Sequence, residues 1–281
     1  MIIVRLQGGI GNQLFQYAAG YALARRHGCP LAFDLSKYER DKIRFYALDE
    51  FNIPQNLISP PLLRTTSPAA QRILAALGLR PFLTYREPHF HYDPAFLDLA
   101  PPVQIRGFFQ SERYFGPAAE ELRRQLTLAV PFSNAAAQVA RKIAASSLPI
   151  SIHVRRGDYA TNHNSQLLDL SYFRKAHELM NAVIARPATY FVFSDDYEYA
   201  AANFDFVPDR VIVSGDVYRP WEDLVLMSRC RHHIIANSSF SWWGAWLNAA
   251  PDKQVIAPRA WFQQSGQLNP VDLYPAGSIL I

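Results

Sequence analysis

The sequence predicts an α/β protein made of two doubly wound halves that face one another across a crevice. Three observations carry that expectation. The N-terminus reads as strand, glycine-rich turn and helix, the start of a βαβ unit; from residue 150 onward short apolar runs alternate with helical patterns; and polar clusters stand where predicted strands end.

The first element is the β-branched run Ile2 to Leu6, followed by QGGIGN and the helical stretch from Gln13 to His27, which Gly28 stops. The apolar run Leu31 to Phe33 leads to Asp34 and completes the unit. From Asp49 to about Pro102 the chain is proline-rich and weak in period, which predicts irregular connections and short helices. Pro117 suits the first position of a helix running to Leu126, and a second helix is expected over Asn134 to Ala145.

The regular half then follows. Strands are expected at Ile150 to Val154, Tyr190 to Phe193, Val211 to Val213, His233 to Ala236 and Gln254 to Ala257. Helices are expected at Tyr172 to Ala185, Trp221 to Arg229 and Phe240 to Asn248, with Glu222 and Asp223 at the positive end of the second. Two Rossmann-like domains result, 1–146 and 147–281, with roughly the last 20 residues packing back on the first domain.

Composition narrows the function. The 281 residues are 49% hydrophobic, enough for buried cores, and carry a net charge of +4. That surplus suits an anionic small ligand, but the basic residues stand singly or in pairs and form no nucleic-acid track. Cys29 and Cys230 are far apart and outside metal-ligand spacing, so both are expected to be buried and to form neither a disulfide nor a zinc site. No basic leader and no apolar run near roughly 18 residues occurs, which predicts a soluble cytoplasmic protein without an integral membrane segment.

Four clusters could carry chemistry. Gly8-Gly9-Ile10-Gly11-Asn12 offers backbone N–H groups to an anion before a helix; Leu14 stands where the dinucleotide fingerprint needs its third glycine, although Asp34 lies at a suitable distance for a ribose. The bland alternative is a turn that merely needs glycine. His153-Val154-Arg155-Arg156-Gly157-Asp158 closes a strand, and alternation lets only one arginine enter the crevice readily; Arg155, on the face of His153, could fork a diphosphate. A solvated surface turn is its alternative.

Asp195 and Asp196 end another strand, where Asp196 reads as a helix cap and Asp195 as a ligand to ribose or base. Adjacent aspartates are not the Asp-x-Asp spacing that holds a divalent cation on a diphosphate, so positive charge is expected from side chains and helix ends. Asn237-Ser238-Ser239-Phe240 opens a helix with hydroxyls and free N–H groups, which serves capping and anion binding alike. Trp242, Trp243 and Trp246 read as packing before they read as a sugar platform.

Taken together, GGIGNQLFQY, HVRRGDY, FSDD and NSSFSWWGAW resemble the bacterial α-1,2-fucosyltransferases of glycosyltransferase family 11 over almost the whole chain. The resemblance implies a GT-B-type pair of α/β domains, the second holding the donor GDP-β-L-fucose and the first forming the side of the acceptor, a glycan with terminal galactose, and no cofactor or required metal. It implies that Arg155 contacts the β-phosphate, that His153 and Asp195 contact the guanosine, and that Ser238 and Ser239 contact the diphosphate. Phe240 and Gly11 join the donor set, and Asn12 lies near the transferred sugar. Asp158 is the expected general base, with a purely structural turn carboxylate, or His153 as base, as alternatives. A dinucleotide-dependent oxidoreductase and a non-catalytic carbohydrate-binding protein are the rival functions.

Overall fold

The computed structural model describes residues 1–41, 43–60, 64–79, 81–157, 167–214, 219–262 and 269–281. The chain forms two compact units, Met1–Thr127 with Leu268–Leu273, and Leu128–Gln267 with Tyr274–Ile281.

The first unit contains strands β1 (Ile2–Arg5), β2 (Leu31–Asp34), β3 (Leu57–Ile58), β4 (Arg64–Thr65), β5 (Phe82–Arg86) and β6 (Val103–Arg106). They make one sheet in the order β3-β2-β1-β6-β5-β4, and every pair is parallel. Helices α1 (Ile10–Arg26), α2 (Pro68–Ala76) and α3 (Ala119–Gln125) accompany it. The proline-rich stretch thus holds three strands and a helix. These strands are too short to show a period, and Ser67 starts α2 by accepting the Ala70 N–H at 3.2 Å.

The α1 helix begins at Ile10 rather than Gln13, which puts Gly11 and Asn12 in its first turn. Its inner side packs on β1 so closely that a Cβ on Gly20 would come within 2.2 Å of Val4. Cys230 is buried as expected, but Cys29, just before β2, is only half-buried.

The second unit contains α4 (Asn134–Ala145), β7 (Pro149–Val154), α5 (Leu170–Ile184), β8 (Thr189–Ser194), α6 (Tyr197–Asn203), β9 (Arg210–Ser214), α7 (Pro220–Ser228), β10 (His232–Ile234), α8 (Ser239–Leu247), β11 (Val255–Ala257) and β12 (Ile279–Leu280). Its parallel sheet runs β12-β11-β10-β7-β8-β9. That is the doubly wound order, with the direction of winding reversing between β7 and β10.

Strand alternation divides the core. Ile150, Ile152, Tyr190 and Val192 pack with Phe173, Ala176 and Met180 of α5. Phe191, Phe193 and Val213 pack with Ala136, Val139 and Ile143 of α4 and with Leu226 and Met227 of α7. This explains why α4, which precedes residue 147, belongs to the second unit: its apolar face has its partners there. Of the final residues, only Leu268–Leu273 join the first unit; β12 extends the second sheet. The three α8 tryptophans are buried in a mutual edge-and-stack cluster, the packing role expected of them.

Candidate functional site

Parallel pairing sets the carboxyl ends of β10, β7 and β8 side by side in the second unit, at the point where the winding reverses. Just past β7, an Arg155 NH group donates to Asp195 Oδ2 at 2.7 Å, and both side chains are largely covered. Asp195 Oδ1 accepts the Arg156 backbone N–H at 2.8 Å. A Cβ on Gly157 would stand 2.6 Å from Asp195 Oδ2, so only glycine lets the chain pass this close. Both oxygens of Asp195 are therefore occupied, Oδ2 by the Arg155 guanidinium and Oδ1 by the backbone of Arg156.

Arg156, also past the end of β7, diverges from Arg155. Its Nε donates to Asp196 at 3.2 Å and its guanidinium lies 3.6 Å from the Tyr199 ring centroid. Asp196 caps α6 by accepting the Tyr199 N–H at 3.0 Å.

His153 sits on the same face of β7 and is buried, with its ring centroid 5.3 Å from that of Phe240. Burial first, and then the Arg155 charge, hold the imidazole below its usual pKa against an opposing pull from Asp195, so it is neutral near pH 7. Its buried Nδ1 has no hydrogen-bond partner among the described residues. Beside it, Ser238 caps α8 by accepting the Phe240 N–H at 3.3 Å, while Ser239 and Phe240 are half-buried. Asn237 donates to the Trp261 carbonyl at 3.1 Å and ties this turn to the following loop. The start of α8 thus presents N–H groups and a favourable dipole at the strand ends.

The sequence did not mark Asp223 for this end of the sheet except as a charge on a helix start. In the first turn of α7, which follows β9, Glu222 accepts from the backbone and hydroxyl of Ser133, the N-cap of α4, at 2.6 and 2.8 Å. Asp223 is buried, its Oδ1 has no partner among the described residues, and burial, then Glu222, push its pKa up to about 8. Trp221 also has a buried Nε1 without a partner among the described residues. Unsatisfied buried polar atoms are rare enough to mark where a polar ligand docks.

In the first unit, Gly8 adopts φ 78°, and a Cβ there would come within 2.7 Å of Asn12 Nδ2. Asn12 Oδ1 accepts Gln110 Nε2 at 2.6 Å. Gln110 follows Phe109, held at φ 53°, whose N–H and that of Phe108 are taken by Glu87 at 3.0 and 2.6 Å. The buried Gln13 clamps the glycine turn by donating to Gly8 and Phe45 carbonyls at 3.1 and 2.8 Å. Gly11 is buried within α1.

Asp34, which a dinucleotide reading would give to a ribose, is 1% exposed and saturated by Ser36 N–H at 3.0 Å and Gln104 Nε2 at 2.7 Å. Asp158 lies outside the described residues. The structure thus brings His153, Arg155, Asp195, Ser238, Ser239 and Phe240 to one end of one sheet, and Gly11 and Asn12 to the glycine turn of the other.

Two α/β units, each with a parallel sheet, the second with its winding reversed between β7 and β10, make a fold of the GT-B type. The chain belongs to glycosyl transferase family 11, whose model matches residues 89–267. The alpha-1,2-colitosyltransferase of Escherichia coli is 32% identical, with 98% of this chain and 97% of that protein covered. Galactoside alpha-(1,2)-fucosyltransferase 1 of Ateles belzebuth is 27% identical, over 85% of this chain and 63% of its own length. Among solved structures, a variant of Arabidopsis thaliana FUT1 in complex with GDP shares the fold, with a TM-score of 0.54, 12% identity, and coverage of 98% of this chain and 74% of that one. Among the described residues no helix is long and apolar enough to cross a membrane.

Proposed function

We propose that this protein transfers L-fucose from GDP-β-L-fucose to O-2 of a terminal galactose, with inversion to an α-1,2 linkage and without a metal or cofactor. The observation that carries the reading is Arg155, fixed by Asp195 at the switch point beside the N-terminus of α8. A guanidinium and helix N–H groups there neutralise a departing diphosphate, the task a divalent cation performs in other transferases.

The acceptor oxygen attacks the anomeric carbon from the face opposite GDP. As that bond forms, the bond from the anomeric carbon to the β-phosphate oxygen breaks, and its electron pair leaves with GDP. Arg155, Ser238 and Ser239 take up the developing charge, while Phe240 covers the donor. His153, neutral and with a buried Nδ1 unpartnered among the described residues, and Asp223, whose buried Oδ1 is likewise unpartnered, suit the donor and acceptor edges of guanosine. Asp195 acts through Arg155. The acceptor proton goes to Asp158; a buried imidazole of lowered pKa, as His153 has, is a poor base. Asn12 and the N–H of Gly11 serve the sugar from the first unit.

A second donor, GDP-colitose, is favoured by the name of the colitosyltransferase relative. Colitose is fucose without its 3-hydroxyl, so the two donors differ by one polar group. Offering each donor with a β-galactoside disaccharide, and assigning the product by NMR, tests both readings. Fucosyl transfer giving an α-1,2 product supports the first. Transfer from GDP-colitose alone replaces it with the second, and release of GDP from neither donor with any sugar acceptor overturns both.

A further inference from the structure

One face of the first sheet is unlike that of an ordinary parallel sheet, which is apolar on both sides because helices cover both. The face of Ile2, Val4 and Phe33 carries α1. On the other face, the register sets four polar side chains in one row at the carboxyl edge. Arg5 pairs with Asp34, Arg86 pairs with Arg106, and Val4 pairs with Ile105, one residue before Arg5 and Arg106.

Behind that row lie Gln104 and Thr84, both buried, and Arg64 of the edge strand, paired with Phe82, belongs to the same face. Helix α2, which packs against β4 and β5, buries none of its own residues.

Four guanidinium groups thus share a face with one carboxylate, and Asp34 already accepts from Ser36 and Gln104. Gln104 Oε1 accepts Arg106 Nε and an Arg106 terminal NH at 3.1 and 2.7 Å. The buried Nε of Arg5 has no partner among the described residues. Burial first, then the charges of Arg5, Arg64 and Arg86, depress the Arg106 pKa, an effect that Asp34 opposes. Like charges gathered on a half-covered surface are relieved by an anion.

We propose that this arginine row binds the acidic group, carboxylate or phosphate, of an anionic acceptor glycan. Guanidinium forks match both oxyanions bidentately, and the row stands at the carboxyl ends of the strands, the edge at which open parallel sheets receive ligands. β1 runs from Arg5 directly into the Gly8–Asn12 turn, which ties the row to the segment assigned to the sugar. The inference rests on the reading of the first unit as the acceptor side.

The test uses the full chain with three acceptors: a neutral β-galactoside disaccharide, the same with a uronate at the reducing end, and the same with a reducing-end phosphate. For at least one acidic acceptor, kcat/KM exceeds that of the neutral one by about tenfold, expressed in KM and shrinking with salt. Arg5→Gln and Arg86→Gln bring that ratio close to one, whereas a merely structural role would lower all acceptors together and leave the ratio intact. The acidic acceptor with the larger advantage identifies the oxyanion. A wild-type ratio near one for both acids, or a ratio indifferent to both substitutions, overturns the proposal. If no acceptor turns over, the transferase reading has failed. Calorimetry of the same glycans then decides the row on its own, since binding of the acidic glycans that is lost in Arg86→Gln supports it and equal binding of all three overturns it.

Discussion

In the second unit, the strands that meet at the switch point, β7 and β10, each lead straight into a functional turn, and the groups gathered there come from short stretches around Arg155, Asp195 and Ser238. In the first unit the neighbour of β1 is β6, reached only after β4 and β5 have been laid down from the far edge. Asn12 is accordingly fixed by Gln110, 98 residues away, through a left-handed Phe109 that Glu87 stabilises. A doubly wound half assembles its site from local strand ends, whereas the other half does so by long-range polar clamps.

That contrast can be broken most severely at Arg155. Arg155→Ala is expected to lower kcat by about 10³-fold, as for loss of a group that stabilises a leaving charge, with little change in Tm because a strand-end guanidinium adds little packing. GDP release assays and thermal melts check this; near-normal turnover would remove the second unit from the centre of the chemistry.

Asp223 gives the next largest effect. Its carboxyl is protonated in the ligand-free protein below about pH 8 but ionised in the unfolded chain above the ordinary carboxylate range. Folding stability is therefore lost progressively as pH rises from that range through 8. Asp223→Asn should melt higher than wild type at pH 8.5, with the difference vanishing near pH 4. If the ionised carboxylate receives guanosine, wild-type GDP affinity weakens as pH falls below 8, and the variant binds about tenfold more weakly at high pH with a flat profile. Calorimetry across pH decides; equal affinities would return Asp223 to a structural role.

For the first unit, Gly8→Ala should cost about 1–2 kcal/mol in urea denaturation, because φ 78° disfavours a Cβ and the methyl would displace Asn12. Gln110→Ala is the mildest change: a several-fold fall in kcat from a loosened Asn12, with GDP affinity unchanged. An unaltered kcat would mean that Asn12 needs no clamp.

The legibility of the two halves follows the same division. Strand ends joined by periodic helices made His153, Arg155 and Ser238 readable, whereas the divergence of Arg155 from Arg156, expected from alternation, comes from their separate partners Asp195 and Asp196 beyond the end of β7. The short strands Leu57–Ile58 and Arg64–Thr65 carry no period to read, and they are parallel partners only because of long-range register. The boundary near residue 127 escaped notice because the α4 apolar face does not announce which sheet it covers. Asp223 looked like an ordinary dipole partner, since nothing in the sequence reveals that Glu222 turns to the Ser133 cap of α4 and leaves its neighbour buried without a donor to Oδ1 among the described residues.

The central claim is that Arg155 and the start of α8, rather than a cation, carry the charge of departing GDP. It is tested most directly by measuring transfer from the GDP-sugar to a galactoside in EDTA, before and after adding magnesium or manganese. The account predicts the same turnover in all three conditions. Activity abolished by EDTA and restored by either metal would contradict it.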